Sequence, residues 1–218
     1  MIADSRLTST SVEARSHFYL AWAAEFDSPP ESAELSEDFT GLRHEVLSPT
    51  ATRISCGAVM RSLVDLVAPF LSYFSKVVPQ TPLPVNGLQL LQYPPEDQAR
   101  VRLDFLPHVQ KIAGTIGFIV NSVRPDGYFA YCVLASYFNP LKMSSIAFRL
   151  LLRLARYLTH TAHLSLTLHS EPPVSAGGSL AGVDLFTGYV DSSHGNAPAG
   201  GSYGGFVIMC RGGGALAW

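Results

Sequence analysis

Residues 144–158 read SSIAFRLLLRLARYL, a stretch that combines an apolar run with regularly spaced arginines. Large apolar residues at positions 146, 150, 151, 154 and 158 recur at the spacing of an α-helical face. Lys142, Arg149, Arg153 and Arg156 follow a near-helical spacing and line a second face of the same helix. The pattern therefore predicts an amphipathic helix that buries its leucines and carries its bases outward.

Charge is distributed unevenly along the 218-residue chain, although the formal net charge is only -2. Residues 1–50 contain nine acidic and three basic residues, whereas residues 100–160 contain eight basic and two acidic residues. The basic part is the candidate surface for a polyanion. With 47% hydrophobic and 15% charged residues, the chain is predicted to form one or two globular domains.

The spacing of the cysteines and the hydropathy of the chain predict its cellular compartment. Cys56, Cys132 and Cys210 lie far apart, so the sequence predicts neither a disulfide framework nor a zinc ribbon, and a reducing compartment is expected. The longest apolar stretch, residues 58–78, is interrupted by charged residues and a proline, and no basic and apolar leader opens the chain. We therefore expect a cytoplasmic or nuclear protein that is not secreted and has no membrane partner.

Periodicity and turn residues predict an α+β fold. Helices are predicted over 12–26, 58–75, 107–121, 126–138 and 144–158. Strands are predicted over 39–47, 52–55, 164–168, 185–191, 206–210 and 215–218. Pro69 should kink or break the second helix, because proline lacks an amide hydrogen, and Ser48-Pro49 should turn the first two strands into a hairpin. Residues 79–95 are predicted to be an extended connection and 172–182 a boundary loop, and the last three strands, without a helix to cover them, predict an incomplete domain.

Five short motifs follow one another toward the C-terminal end of the chain. They are Arg124-Pro125-Asp126, Arg156-Tyr157-Leu158, Gly188-Tyr189-Val190-Asp191, Gly205-Phe206-Val207 and Ala215-Leu216-Ala217-Trp218. Their order resembles copia-type retrotransposon polyproteins at the point where the reverse transcriptase passes into ribonuclease H. Upstream, residues 38–43, DFTGLR, are similar to a palm strand of that family, and Thr81-Pro82-Leu83-Pro84 is similar to the segment that leads toward the thumb.

The resemblance implies three regions. Residues 1–78 would be the C-terminal part of the palm, with its strands and helix. Residues 79–170 would form a small helical bundle of the thumb and connection. Residues 171–218 would be the truncated start of an antiparallel ribonuclease H-like sheet.

The resemblance also implies RNA-directed DNA synthesis for the parent polyprotein, with Mg²⁺, an RNA template, a DNA primer and the rest of the polyprotein as partners. The chain lacks the paired aspartates of the family's Tyr-x-Asp-Asp motif. Asp191 matches the first ribonuclease H carboxylate, but Ser192, Ser193 and His194 depart from the family's next residues. We therefore expect a non-catalytic chain that binds no metal itself, in which Asp191 is either a remnant catalytic and metal ligand or a turn residue.

Nucleic-acid contact requires only bases arranged along a surface. In a thumb, Lys142, Arg149, Arg153 and Arg156 would contact the phosphates of a primer–template duplex. The alternative for this helix face is simple solvation. A competing hypothesis of another class is a small α+β interaction module whose basic helix contacts an acidic protein.

Overall fold

The computed structural model describes residues 13, 17, 20–21, 38–39, 41–48, 50–74, 77–92, 105–138, 143–169, 186–193, 202–210 and 214–218. The chain divides into two compact units, Met1–Gly41 and Leu42–Trp218. In the first unit, residues 13, 17, 20 and 21 are helical, in agreement with the helix predicted over 12–26, whose other residues lie outside the described ones. Asp38–Phe39 is a short strand, β1.

The second unit begins with a β-hairpin. Its strands are β2, Leu42–Ser48, and β3, Ala51–Ser55, and they pair antiparallel. The register shifts between Val46 and Ser48, and Ser48 Oγ accepts a hydrogen bond from the Thr50 amide at 3.2 Å. Strand β4, Leu166–His169, pairs antiparallel with β3. The predicted hairpin and the predicted strand near residue 166 are therefore confirmed.

Helix α1 spans Gly57–Val67 and continues as a 3₁₀-helix over Ala68–Tyr73. Pro69 lies in the first turn of the 3₁₀-helix. Amide groups in a first turn have no acceptor within the helix, so proline, which lacks an amide hydrogen, fits this position. Phe70 follows, is 3% exposed, and lies with its ring 5.3 Å from that of Phe148. The predicted interruption at the proline is confirmed, and it places an aromatic ring in the core.

Three further helices enclose this core with α1. They are α3, Leu106–Ser122, α4, Tyr128–Ala135, and α5, Ser145–His160, with a 3₁₀-turn at Pro125–Gly127. The N-cap of α5 is Ser144, whose Oγ accepts a hydrogen bond from the Ala147 amide at 3.1 Å. Leu151, Leu154 and Leu158 of α5 are 0% exposed. The predicted bundle helices are confirmed, with small differences at their ends.

The segment predicted as an extended connection contains a helix, α2, over Gly87–Gln92. Leu91 in this helix is 5% exposed, and its carbonyl oxygen accepts a hydrogen bond from the Tyr137 hydroxyl at 3.2 Å. The six residues contain no proline, so the backbone can turn helical where burial of Leu91 stabilises it. The prediction of an extended chain is wrong for these residues, because tertiary packing outweighs the proline-rich surroundings.

A second antiparallel sheet contains β5, Phe186–Ser193, β6, Tyr203–Cys210, and β7, Ala215–Ala217, in that order. All three strands were predicted. Helices contact this sheet: Trp218 Nε1 donates a hydrogen bond to the Val120 carbonyl oxygen of α3 at 2.9 Å, and the Tyr203 ring lies 5.5 Å from the Phe129 ring of α4. The prediction that no helix covers these strands is therefore wrong at these contacts.

The predicted α+β class is confirmed, and the described strands form two small sheets. Met60, Leu151 and Tyr203, one from each of the three predicted regions, pack in or against one core. The division at residues 78 and 170 stays a prediction, and the predicted loop 172–182 lies outside the described residues. In the part of the chain that the structure describes, every helix is too short or too polar to cross a membrane.

Candidate nucleic-acid interface

The basic face of α5 consists of Arg149, Arg153 and Arg156. These positions are four and three residues apart, so their side chains leave the helix on the same side. Arg149 is exposed and the other two are partly buried, whereas Leu151 and Leu154 elsewhere on the helix are fully buried. Lys142, the fourth predicted base, lies outside the described residues. The structure thus brings three of the four predicted bases together on one helix face.

Arg153 also joins α5 to the segment before α2. Its Nη2 donates to the carbonyl oxygen and the hydroxyl of Thr81 at 3.3 and 3.4 Å. Thr81 Oγ1 in turn donates to the Leu83 carbonyl oxygen at 2.7 Å. The Arg153 Nε is buried and has no hydrogen-bond partner among the described residues. Arg153 therefore connects α5 to the segment around Thr81 by hydrogen bonds, and its side chain is only partly exposed.

Arg156 lies over an aromatic ring. Its guanidinium carbon is 5.5 Å from the centre of the Phe74 ring, a cation–π distance that restrains the long side chain. Phe74 directly follows the 3₁₀-helix Ala68–Tyr73, so the position of this base depends on the proline-induced break in the α1 segment. Arg156 is thus held near the end of α5, and Arg149 is the most exposed base of the face.

Asp191 lies on a different element from the basic face, in strand β5. It is an exposed residue inside β5, opposite Gly205 of β6, so it is part of the strand and not of a turn after it. One of its carboxylate oxygens, Oδ1, accepts a hydrogen bond from the Ser192 amide at 2.8 Å. The structure does not bring Asp191 together with the basic face.

Among the described residues, Asp191 belongs to no group of side chains that could form a magnesium site of the ribonuclease H type. Two-metal chemistry needs several carboxylates that converge on the ions. The described residues contain no group of three or more histidine, cysteine or acidic side chains that could hold a metal ion. Within that part of the chain, Asp191 supplies one carboxylate, and no catalytic step is assigned to it.

A buried ionic cluster connects two of the sequence motifs. Arg124 is 1% exposed, and its Nε and Nη2 donate to the two carboxylate oxygens of Asp126 at 2.8 and 2.7 Å. The Tyr157 hydroxyl donates to Asp126 Oδ2 at 2.8 Å. Arg124 also donates to the carbonyl oxygen of Thr161 at 2.9 Å and to its hydroxyl at 2.7 Å. We call these four residues the Arg124 cluster.

Sequence reasoning missed this cluster. The sequence identifies Asp126 only as the last residue of the Arg124-Pro125-Asp126 motif. The available signal was an arginine and an aspartate two residues apart in a segment with few acids, since two carboxylate oxygens match the guanidinium fork. Its partners Tyr157 and Thr161 could not be read from local spacing.

The cluster shifts the pKa values of its members. Burial opposes ionisation of Asp126, but hydrogen bonds from Arg124 and Tyr157 and the guanidinium charge hold its pKa below the ordinary 3.8. Burial also opposes the charge of Arg124, yet the hydrogen bond and charge of Asp126 raise its pKa. Burial and the hydrogen bond to Asp126 raise the pKa of Tyr157. At neutral pH the cluster therefore contains an ionised pair and a protonated tyrosine.

Cys56 is a core residue and not a nucleophile. It is 4% exposed, and burial raises the pKa of its thiol to about 11 against the opposing charge of Arg124. The thiolate is the reactive form of cysteine, and it is scarce at neutral pH when the pKa is so high. Cys132, in contrast, is exposed on α4.

Comparison of the chain with protein-family models, curated proteins and solved structures finds no match. A function for this chain can therefore be proposed only from the chemistry of the described side chains and from the resemblance of the motifs. Among the described side chains, the basic face of α5 is the surface that best suits a polyanion.

Proposed function

We propose that this chain binds nucleic acid through the basic face of α5 and has no polymerase or ribonuclease H activity of its own. The observation that carries the proposal is the placement of Arg149, Arg153 and Arg156 on one side of a helix whose other faces are buried. Arginine suits this role because its planar, permanently charged group forms paired hydrogen bonds with phosphate oxygens. The motif resemblance supports the proposal and suggests an RNA–DNA hybrid as the ligand, as in the thumb of a copia-type reverse transcriptase.

The expected binding is weak and strongly dependent on salt. Two or three phosphate contacts release about as many counterions, which predicts a loss of affinity of roughly 10- to 40-fold between about 50 and 200 mM salt. Arg153 already donates to Thr81, so its share of the interaction is expected to be the smallest. Binding should depend little on sequence, because contacts with phosphates position a duplex without reading its bases.

Fluorescence anisotropy with a labelled RNA–DNA hybrid tests the proposal. The double variant Arg149→Glu with Arg153→Glu should reduce the affinity at least tenfold and flatten the salt dependence. The matched control is Arg61→Glu with Lys111→Glu, which makes the same change in net charge at exposed positions of α1 and α3. The control should weaken binding only slightly, because its charges lie on other helices.

The result also separates the proposal from the competing interaction module. If the double variant binds the hybrid as well as the unchanged chain does, the basic face is not the nucleic-acid surface. If the unchanged chain binds polyglutamate in preference to the hybrid, and the double variant loses that binding, the partner is an acidic protein.

A further inference from the structure

Strand β5 forms the outer edge of the second sheet. Among the described strands it pairs with β6 alone, and its eight residues pair with β6 one to one without a bulge. The opposite side of the sheet lies close to β4, because a Cβ added to Gly214, directly before β7, would lie 2.5 Å from the Thr167 carbonyl oxygen. The two sides of the sheet therefore differ, and β5 presents a regular row of backbone groups on the outer one.

The sequence of β5 lacks the features that normally protect an edge strand. Natural edges are blocked by proline, lysine, bulges or a covering segment. Phe186–Ser193 contains no proline or lysine, and Asp191 is its only charged residue. Phe186 and Val190 are 58% and 84% exposed on one face of the strand, and Tyr189 is 59% exposed on the other. A strand exposed on both faces and along its edge is best covered by another strand.

Gly188 lies inside this edge strand. A glycine within a strand weakens it, and it often marks a place where another backbone approaches closely. A Cβ added to Gly188 would meet nothing within 4 Å, so no described part of this chain accounts for the glycine. The open space beside Gly188 therefore favours the approach of a strand from outside the chain.

We infer that β5 pairs antiparallel with β5 of a second copy of this chain, about a two-fold axis at Gly188. In this register Gly188 lies opposite the partner's Gly188, Phe186 lies opposite the partner's Val190, and Thr187 lies opposite the partner's Tyr189. Each aromatic ring then lies beside a β-branched side chain, a pairing that stabilises antiparallel strands. The two-fold axis repeats both pairs, so each contact forms twice.

This self-complementarity of β5 identifies a second copy as the occupant. A register centred on Asp191 would place two carboxylates directly opposite each other, which destabilises a strand pair, whereas a register centred on Gly188 separates them. Pairing through the same edge of both chains closes at two copies. One strand edge is smaller than the roughly 800 Å² per partner of a typical stable interface, so the dimer should be weak. The inference does not rest on the proposed nucleic-acid binding, because no residue of α5 takes part.

Sedimentation velocity of the whole chain at about 5–500 μM tests the inference. We expect an equilibrium between monomer and dimer, with no larger species. Val190→Lys should weaken dimerisation about tenfold or more, because a lysine on an edge strand opposes pairing. The matched control is Val85→Lys, which makes the same change at a fully exposed valine in the turn before α2 and should leave dimerisation unchanged.

Phe206→Ser separates edge pairing from the packing of two sheet faces. Phe206 lies in the central strand β6, opposite Val190, and is 52% exposed. Edge pairing leaves Phe206 outside the contact, so this variant should still dimerise. Loss of the dimer in Phe206→Ser would mean that the sheets associate through their faces, and it would overturn the inference. Thermal unfolding checks that both this variant and Val190→Lys are folded.

Cysteine cross-linking locates the two-fold axis. In a chain that also carries Cys132→Ser and Cys210→Ser, Gly188→Cys should form a disulfide between two copies on mild oxidation. Directly opposite Cβ atoms lie about 4.5–5.5 Å apart, close to the disulfide range. Val190→Cys is the control, because the two cysteines would lie four residues out of register, about 13 Å apart along the strands. The open space around Gly188 accepts the added side chain.

Three further results would overturn the inference: a chain that stays monomeric over this concentration range, larger assemblies in place of a dimer, or equal cross-linking through Gly188→Cys and Val190→Cys. The variant Arg149→Glu with Arg153→Glu distinguishes this edge from the nucleic-acid surface. It should lose hybrid binding and dimerise as the unchanged chain does, so failure of one proposal leaves the other standing.

Discussion

Replacement of Asp126 by asparagine should lower the free energy of unfolding by about 2–3 kcal/mol. Asparagine keeps the shape of the side chain but removes the charge opposite Arg124, which is 1% exposed. Loss of one partner from a fully buried ion pair costs about 3–5 kcal/mol, because the other charge stays buried and uncompensated. The Asp126 side chain is 36% exposed, so water screens part of the interaction and the lower estimate applies.

Urea unfolding followed by circular dichroism measures this cost as a shift of the midpoint at an unchanged slope. The matched control is Glu45→Gln, which breaks the 3.2 Å ion pair of Glu45 with Arg53 on the surface of the hairpin. Those side chains are 48% and 44% exposed, so the control should cost less than about 1 kcal/mol. Equal costs for the two variants would refute the buried-pair argument.

A double-mutant cycle isolates the pair itself. Arg124→Met and Asp126→Asn should each destabilise the protein, and the double variant should cost less than their sum by about 2 kcal/mol. The reason is that the second substitution removes a partner that the first has already left unpaired. Additive costs would show that the two side chains contribute independently.

The same pair predicts a dependence of stability on acid pH. The pKa of Asp126 is lower in the folded chain than the ordinary 3.8, so the unfolded chain takes up the proton first as the pH falls. The contribution of this carboxylate is therefore fully present above about pH 5 and is lost as the pH falls through the folded pKa. Urea unfolding between about pH 6 and 2.5 should show a smaller acid-induced loss in Asp126→Asn than in the unchanged chain. If the free energies of unfolding of the two proteins fall in parallel as the pH decreases, the lowered pKa of Asp126 does not contribute to the acid dependence of stability.

Three further substitutions test contacts of the second sheet and of α3. Trp218→Phe removes the hydrogen bond to Val120 and should lower the free energy of unfolding by about 1 kcal/mol. It should also increase the rate of amide hydrogen exchange in β7. Unchanged exchange would mean that the indole does not stabilise the strand. Gly214→Ala should cost about 2–3 kcal/mol, because its φ is +97° and a Cβ would lie 2.5 Å from the Thr167 carbonyl oxygen. Gly114→Ala, in the interior of α3 with nothing within 4 Å of the added Cβ, should instead stabilise the protein by about 0.5–1 kcal/mol. Thermal unfolding measures the midpoint temperature of the two glycine variants. If the midpoint shifts in the same direction in both, either the strain expected at Gly214 or the helix stabilisation expected at Gly114 is wrong.

The helices that could be predicted from the sequence are those whose apolar spacing extends over several turns. Residues 144–158 alternate buried leucines with outward bases for long enough to fix both the helix and its orientation. Helix α2 has only six residues, too few for a periodic pattern, and its stability comes from the core around Leu91. Its contact with Tyr137 joins residues 46 positions apart, which no local pattern contains.

The same distinction applies to the candidate site. The basic face was predictable because its spacing is local to one helix. The tie between Arg153 and Thr81 joins residues 72 positions apart, and the bond between Asp126 and Tyr157 joins residues 31 positions apart. Such contacts follow from how the helices pack, and packing is decided by the whole core.

The motifs that suggested a family now have a physical explanation in this chain. Arg124, Asp126 and Tyr157 lie in two of those motifs, and they meet in a single buried cluster. Gly127 follows the first motif at a position where an added Cβ would lie 2.9 Å from a Val120 methyl group, and Trp218 ends the last motif with its bond to the Val120 carbonyl oxygen. These motif residues hold α3, α4, α5 and the second sheet together.

The proposed binding, in contrast, depends most on Arg149, the most exposed base of the face, which lies outside the five motifs. Because Arg149 and Arg153 are not members of the Arg124 cluster, stability and hybrid binding can be perturbed independently. Asp126→Asn should lower stability while the folded protein keeps its affinity for the hybrid. Arg149→Glu with Arg153→Glu should reduce that affinity while the Arg124 cluster stays intact. If stability and hybrid affinity instead fall together in both variants, the basic face depends on the cluster for its position, and the motifs contribute to binding indirectly.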